Sequence, residues 1–116
     1  MEESSNINLK IQDLQLMEQS FQSLMLQKQS IQVEVLDIEN ALDELKDSTG
    51  ESYKIIGPVM VSVSKSTLEK DLNEKKKVLN LRINSIEKQE EETKSRLIKL
   101  REEVIKSLDK TKKSIS

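Results

Sequence analysis

The residues that break regular secondary structure are all gathered in one short segment in the middle of the chain. The only proline, Pro58, and both glycines, Gly50 and Gly57, fall between residues 50 and 58. Glycine and proline are the strongest local signals for turns and helix ends. A chain that has them only here is expected to form one long, uninterrupted element on each side of a central turn.

The central segment, residues 51–64, has the two-residue period of β-strands. In residues 59–63, three valines alternate with a methionine and a serine, and residues 53–56 form a second run of β-prone types. Gly57 and Pro58 separate the two runs. Glycine accepts the positive φ that the first position of a two-residue hairpin turn needs, so the segment is predicted to be a β-hairpin.

Before the hairpin, apolar residues recur at alternating spacings of three and four. Such a repeat is typical of a coiled-coil seam, and it predicts a first helix over residues 4–47. Ser4 or Ser5 is expected to cap its start, and Gly50 fits its end. Only two seam positions are polar, both of them lysines. The seam comprises Ile7, Lys10, Leu14, Met17, Phe21, Leu24, Lys28, Ile31, Val35, Ile38, Leu42 and Leu45.

A second helix is predicted over residues 66–113. Ser66 or Thr67 suits its N-cap, and Glu69 and Asp71 suit the first turn because they face the positive end of the helix dipole. The spacing departs from strict alternation at two steps of four residues. The predicted seam comprises Leu68, Leu72, Lys75, Leu79, Ile83, Ile86, Glu90, Thr93, Leu97, Leu100, Val104 and Leu108.

Two helices of nearly equal length joined by a short hairpin favour an antiparallel pair. The register places Leu45 opposite Leu68, and Leu14 opposite Leu100. The predicted fold is therefore dominated by α-helix: one domain over residues 1–116, in which a long antiparallel coiled coil is joined by a short central β-hairpin. A second set of aliphatic residues lies off the first seam. These residues either widen the apolar stripe, in contact with neighbouring subunits or partly exposed, or form an apolar surface for another chain, and both can hold at different heights along the helix. They are Leu9, Leu16, Met25, Leu26, Val33 and Leu36.

Composition narrows the possible functions. The chain of 116 residues has no cysteine and no histidine, which removes disulfides, thiol metal sites and the commonest general base. Charged residues make up 34% of the chain, but the net charge is only −2. No apolar run approaches the about 20 residues of a membrane span, and the first residues do not resemble a signal peptide. The expectation is a cytoplasmic protein that is not an enzyme and has no cofactor and no membrane or nucleic-acid partner.

The hairpin and the helix ends indicate two kinds of contact. A lone two-stranded hairpin is marginally stable and has unpaired edges, so several copies are expected to join their hairpins into a larger sheet or barrel. The far ends of the helices carry more aliphatic residues than one seam can bury. Adaptable apolar ends suit a protein that binds unfolded chains.

Three sequence segments carry a resemblance to a known family. Residues 53–61, Tyr-Lys-Ile-Ile-Gly-Pro-Val-Met-Val, resemble the hairpin region of beta-type prefoldin subunits. Residues 81–91, Leu-Arg-Ile-Asn-Ser-Ile-Glu-Lys-Gln-Glu-Glu, and residues 27–29, Gln-Lys-Gln, are similar to archaeal members. The single hairpin favours the beta type, because alpha-type subunits carry two. A eukaryotic beta-type subunit is also similar, so either origin fits.

The resemblance implies an ATP-independent co-chaperone. Prefoldins are hexamers of two alpha-type and four beta-type subunits, whose hairpins form a barrel platform and whose coiled-coil tips capture unfolded proteins for a group II chaperonin. By position, the barrel contacts fall to Tyr53, Ile55, Ile56, Val59, Val61 and Val63. The client-binding tips are assigned as a region that contains Ile7, Leu9, Ile11, Leu14, Leu16, Met17, Leu97, Ile98, Val104, Ile105, Leu108 and Ile115.

Three other functional classes share some of these sequence features. An enzyme lacks support, because the sequence has no Gly-rich phosphate loop and two thin helices form no closed pocket. A nucleic-acid-binding arm has a basic triplet at residues 75–77, but acidic residues surround it and no aromatic residue accompanies it. The strongest alternative is a structural coiled-coil adaptor or scaffold without chaperone activity, which shares every coiled-coil feature.

Overall fold

A computed structural model describes the backbone of residues 2–115 and the side chains of residues 5–110. Helix α1 spans Glu2–Asp47, strand β1 Ser52–Ile56, strand β2 Val59–Val63 and helix α2 Lys65–Ile115. Two long helices with a two-stranded antiparallel sheet between them confirm the predicted fold class. Each helix extends one or two residues beyond its predicted bounds of 4–47 and 66–113. Because α1 begins at Glu2, Ser4 and Ser5 lie inside it and do not cap it.

The chain divides into two compact units, each built from parts of both helices. The terminal unit contains Met1–Gln27 and Ile86–Ser116. Its core is a line of aliphatic side chains contributed by both helices. Two ion pairs join its helices in antiparallel order, one between Lys10 and Glu103 at 4.0 Å and one between Glu18 and Arg101 at 3.4 Å. The buried residues of this unit are Ile7, Ile86, Leu97 and Val104.

The hairpin unit contains Lys28–Ser85 and therefore the whole β-hairpin. Ile31 and Ile38 of α1 and Leu79 of α2 are its buried aliphatic residues. Lys76 Nζ lies 3.2 Å from Glu39 Oε1 and again joins the two helices in antiparallel order. Both side chains of this pair are partly exposed, so the pair contributes little to stability, and apolar burial carries most of the packing.

The seam of α1 matches its prediction, whereas the seam of α2 differs at two positions. All twelve predicted positions of α1 are buried or half-buried, including the lysines. In α2, the predicted Lys75 and Leu108 are exposed, and Lys76 and Ser107 take the seam positions. The two positions differ because the steps of three and four residues begin to alternate at a different point from the one predicted. After two steps of four residues from Leu68, the spacing alternates regularly to the end of the described side chains.

The start of α2 is capped by Ser64 and not by the predicted Ser66 or Thr67. The Ser64 Oγ accepts a hydrogen bond from the backbone N–H of Thr67 at 3.3 Å, and the Ser64 carbonyl accepts the first helical bond from Leu68 at 3.0 Å. This is the geometry of an N-cap residue. Since the helix begins at Lys65, Glu69 lies beyond the first turn, which contains no acidic residue.

Replacing Ser64 with alanine is expected to lower the free energy of unfolding by about 1 kcal/mol, because it removes the cap of α2. Ser66→Ala serves as the matched control, since Ser66 is exposed and one residue inside the helix. Urea unfolding followed by circular dichroism at a single protein concentration measures both values. If Ser66→Ala lowered the free energy of unfolding as much as Ser64→Ala does, the assignment of Ser64 as the cap would be contradicted.

Candidate functional site

The β-hairpin has a fixed register that assigns each side chain to one of two faces. Ser52 pairs with Val63, Lys54 with Val61, and Ile56 with Val59, which places these six residues on one face. Tyr53, Ile55, Met60 and Ser62 lie on the other, because side chains alternate along a strand. The first set is called the valine face and the second the tyrosine face.

The hairpin turn has the conformation that the sequence predicts. Gly57 and Pro58 form a two-residue connection between the paired Ile56 and Val59. The φ of Gly57 is 57°, a value that residues with a side chain rarely adopt. Pro58 cannot adopt a positive φ, so glycine must take the first position of the turn. Gly50 has no positive φ, and α1 ends before it at Asp47.

Both faces of the hairpin expose large apolar side chains. On the tyrosine face, Ile55 is 71% exposed and Met60 63% exposed. On the valine face, Ile56, Val59 and Val61 are exposed and Val63 is half-buried. The sheet consists of two strands, so each strand also has an outer edge whose backbone groups have no strand partner within the described residues. Exposed apolar faces next to open edges are typical of a surface that joins a larger sheet.

Met60 is an apolar residue of this surface that sequence reasoning missed. The sequence shows it only as a residue that alternates with the valines. The pairing of Met60 with Ile55 places both on one face, next to Tyr53. The signal that identifies it is the two-residue turn at Gly57, because the length of the turn fixes which residues of the two strands are opposite.

The base of the hairpin is held by polar contacts. Lys65 Nζ donates hydrogen bonds to the carbonyls of Lys46 and Ser48, each at 3.3 Å. A lysine from the start of α2 thus binds carbonyl groups at the end of α1, which otherwise lack a helical partner. The Tyr53 hydroxyl donates a hydrogen bond to the Glu51 carboxylate. This bond favours the protonated phenol and, with a smaller effect of desolvation, raises the pKa of Tyr53 above its ordinary value.

The candidate client-binding residues fall into two groups in the terminal unit. The exposed group comprises Leu9, Leu16, Ile98, Ile105 and Leu108. Ile11, Leu14 and Met17 are half-buried in or beside the seam. Ile7, Leu97 and Val104 are buried in the seam, so these three are not available to a client as predicted. The side chain of Ile115 lies outside the described residues.

The aliphatic residues that lie off the seam of α1 are all exposed. Leu26 is 66% exposed and Leu16 61% exposed. The other members of this set are Leu9, Met25, Val33 and Leu36. They therefore lie outside the buried seam of the chain and form apolar surface.

The described residues offer no metal-binding or membrane-spanning feature. Residues 5–110 contain no group of three or more Asp or Glu side chains arranged to hold a metal ion. Within the described ranges, neither helix contains an apolar stretch of the length that a bilayer crossing needs.

Comparison with known proteins gives a consistent result along almost the whole chain. The family model described as prefoldin subunit matches residues 8–111. A prefoldin subunit beta of Methanothrix thermoacetophila is 34% identical over 101 residues, which cover 85% of this chain and 84% of the relative. A prefoldin subunit beta of Archaeoglobus fulgidus is 32% identical over 88 residues, which cover 74% and 76% of the two chains.

The fold also matches a solved structure. The crystal structure of the prefoldin beta subunit from Thermococcus strain KS-1 superposes with a TM-score of 0.82 at 28% sequence identity. The match covers 89% of this chain and 92% of the other. The similarity therefore includes both helices and the hairpin between them.

Proposed function

Since the chain belongs to the prefoldin family, we propose that it is a beta-type subunit of an ATP-independent co-chaperone that holds unfolded polypeptides. The partners in this proposal are an alpha-type prefoldin subunit and further beta-type copies, assembled as a hexamer in the cytoplasm. The complex delivers its clients to a group II chaperonin.

The observation that supports assembly most directly is the state of the hairpin. A sheet of two strands with open edges and exposed Ile55, Ile56, Val59 and Met60 buries too little to be stable alone. Pairing its edges with hairpins of other subunits satisfies the free backbone groups and covers one face in the interior of a barrel. Assembly would therefore pair the open edges of the hairpin and cover part of its exposed apolar surface.

Client capture in this proposal uses the exposed aliphatic residues of the terminal unit. The exposed side chains lie outside a seam that is already filled by Ile7, Leu97 and Val104, and they are those of Leu9, Leu16, Ile98, Ile105 and Leu108. Apolar contacts without a shaped pocket favour broad binding over selection of one partner. Such contacts need no bound nucleotide, because binding and release depend on competition for exposed apolar surface.

Light scattering of a dilute denatured test protein tests the function. The chain assembled with a prefoldin alpha subunit is expected to suppress aggregation in the absence of ATP, at a near-stoichiometric ratio. A structural adaptor predicts no suppression at any ratio. Aggregation that proceeds at the same rate with and without the complex would therefore contradict the proposed function.

A further inference from the structure

The two helices of the hairpin unit carry opposite charge on their exposed sides. On α1, every exposed charged residue of this unit except Lys46 is acidic, and these are Glu34, Asp37, Asp43, Glu44 and Asp47. On α2, basic residues outnumber acidic ones. The exposed charged residues there are Lys70, Asp71, Glu74, Lys75, Lys77 and Arg82. The two sides are therefore complementary in charge between one copy of the chain and another.

Each of these charged sides also carries a pair of exposed aliphatic residues. Val33 and Leu36 form the pair on α1, which is called the α1 patch, and Val78 and Leu81 form the α2 patch. All four side chains are more than half exposed. The two members of each patch are three residues apart, so they are neighbours on the surface of their helix. An apolar centre with charged surroundings is the composition of a contact between proteins.

The two patches lie at the same height along the hairpin unit. Lys76 Nζ is 3.2 Å from Glu39 Oε1, so this ion pair marks residues of the two helices that are level. Counted from the pair and away from the hairpin, Leu36 is three residues along α1 and Val78 is two residues along α2. The other members of the patches also differ by one residue. One residue is about 1.5 Å along a helix axis, so the patches are level in each copy.

The charges beside the patches are level in the same way. Asp37 lies four residues after the first member of the α1 patch, and Lys77 four residues before the last member of the α2 patch. Nearer the hairpin, Glu44 and Lys70 are five and six residues from the level ion pair. Among the side chains of residues 5–110, none of these four charges takes part in an ion pair. They are therefore available to a second chain.

A neighbouring subunit of the proposed complex presents the same residues at the same heights, because all subunits project from one barrel platform. Beta-type copies outnumber alpha-type subunits there, so in a closed ring some copies have another copy as a neighbour. We propose that the α1 side of the hairpin unit binds the α2 side of a neighbouring copy, with the two patches in contact and Asp37 beside Lys77. This inference rests on the proposed function and adds a second contact between subunits to that of the hairpins.

The contact is heterologous, because it joins two different sides of the same chain, and such contacts close into rings. It is much smaller than a stable interface, which uses about 20–30 residues a side. The hairpins therefore hold the complex together, and loss of the helix contact leaves the complex assembled. The role of the contact is to fix the distance between neighbouring hairpin units.

Disulfide cross-linking tests the contact, since the chain has no cysteine of its own. Leu36→Cys and Val78→Cys are made in separate chains with tags of different length, and both are assembled with a prefoldin alpha subunit. A disulfide needs Cα atoms within about 7 Å of each other, so oxidation joins the two chains only where the patches meet. The control pairs Leu36→Cys with Asn80→Cys, because Asn80 is exposed and about 160° from Val78 around the helix.

We expect a product that joins the two different chains, and little product in the control. The yield is measured at equilibrium in a glutathione buffer. Adding Asp37→Lys to the first chain is expected to lower the yield about two- to fivefold, which is the loss expected for one exposed ion pair. Adding Lys77→Glu to the second chain as well is expected to restore the yield, because the charges are then exchanged.

Analytical ultracentrifugation of each mixture shows whether the hexamer has formed. An intact hexamer without the cross-linked product would overturn the inference and leave the proposed function standing. The same holds if the control gives as much product, if the product joins two chains of one kind, or if Asp37→Lys leaves the yield unchanged. If the unchanged chain forms no hexamer with the alpha subunit, the proposed assembly fails together with this inference.

Discussion

Replacing Val61 with aspartate is expected to abolish assembly with other prefoldin subunits. Val61 lies in the middle of β2 on the valine face, where Val59 and Ile56 are also apolar. A barrel that encloses this face buries the introduced carboxylate among aliphatic side chains, at a cost of several kcal/mol for each copy. Because the proposed hexamer contains several copies, the cost is multiplied, and analytical ultracentrifugation is expected to show separate subunits.

Ser62→Asp is the matched control for this prediction. Ser62 is the next residue of the same strand, is exposed, and points to the opposite face. The control introduces the same charge into the same strand, so it separates burial of the valine face from a general effect on the hairpin. A Val61→Asp chain that still forms hexamers would contradict the barrel assignment. If both variants dissociate, both faces of the hairpin are buried by assembly.

Replacing the exposed aliphatic residues of the terminal unit with serine is expected to remove most of the suppression of client aggregation. The variant changes Leu9, Leu16, Ile98 and Ile105, none of which is buried in the seam. Each change removes apolar contact area from the proposed client-binding surface, and burial of one such side chain contributes about 1.5–3 kcal/mol. The amount of complex needed for half-maximal suppression is expected to rise at least about tenfold.

The control makes the same kind of change in the hairpin unit. Val33, Leu36, Val78 and Leu81 are exposed to a similar extent and can also be replaced with serine. The control complex is expected to suppress aggregation as the unchanged complex does, with light scattering as the measurement. Suppression that survives the first set of changes, or that is lost equally with the control set, would show that the ends of the helices are not the principal client-binding region.

The sequence predicts an element of the fold correctly where its pattern of residues is compatible with only one structure. All twelve seam positions of α1 could be predicted because ten of them are apolar and recur at spacings of three and four, which also fixes the positions of the two lysines. In α2, residues 75–77 are three consecutive lysines, so composition cannot say which one enters the seam. The phase of the repeat decides it, since two steps of four residues from Leu68 reach Lys76, which is half-buried, whereas Lys75 and Lys77 are exposed. The apolar character of Leu108 predicts a seam position for it, although the phase of the repeat favours Ser107, which is half-buried.

The cap of α2 and the faces of the hairpin are predicted less well from the sequence, for a different reason. Residues 64–67, Ser-Lys-Ser-Thr, offer three hydroxyl groups within four positions, and only the backbone determines that Ser64 is the cap. The prediction from the sequence leaves Met60 out of the apolar surface of the hairpin because it follows the valines of β2 alone, whereas the pairing across the two-residue turn places Met60 opposite Ile55. In the terminal unit, Ile7, Leu97 and Val104 already belonged to the predicted seams. Their burial could therefore have been inferred from the sequence.

The contacts within each unit have a further consequence for synthesis of the chain. Lys65 binds a carbonyl only 17 residues away, at Ser48, whereas Arg101 meets Glu18 across 83 residues of sequence. Direct closure of the longer loop costs more conformational entropy than step-by-step growth of paired structure from the hairpin outward. A ribosome makes Ile7 long before Val104, yet both belong to the core of the terminal unit. The residues that are translated first are therefore among the last to find their partners, and the apolar side of α1 is exposed to the cell while the rest of the chain is being made.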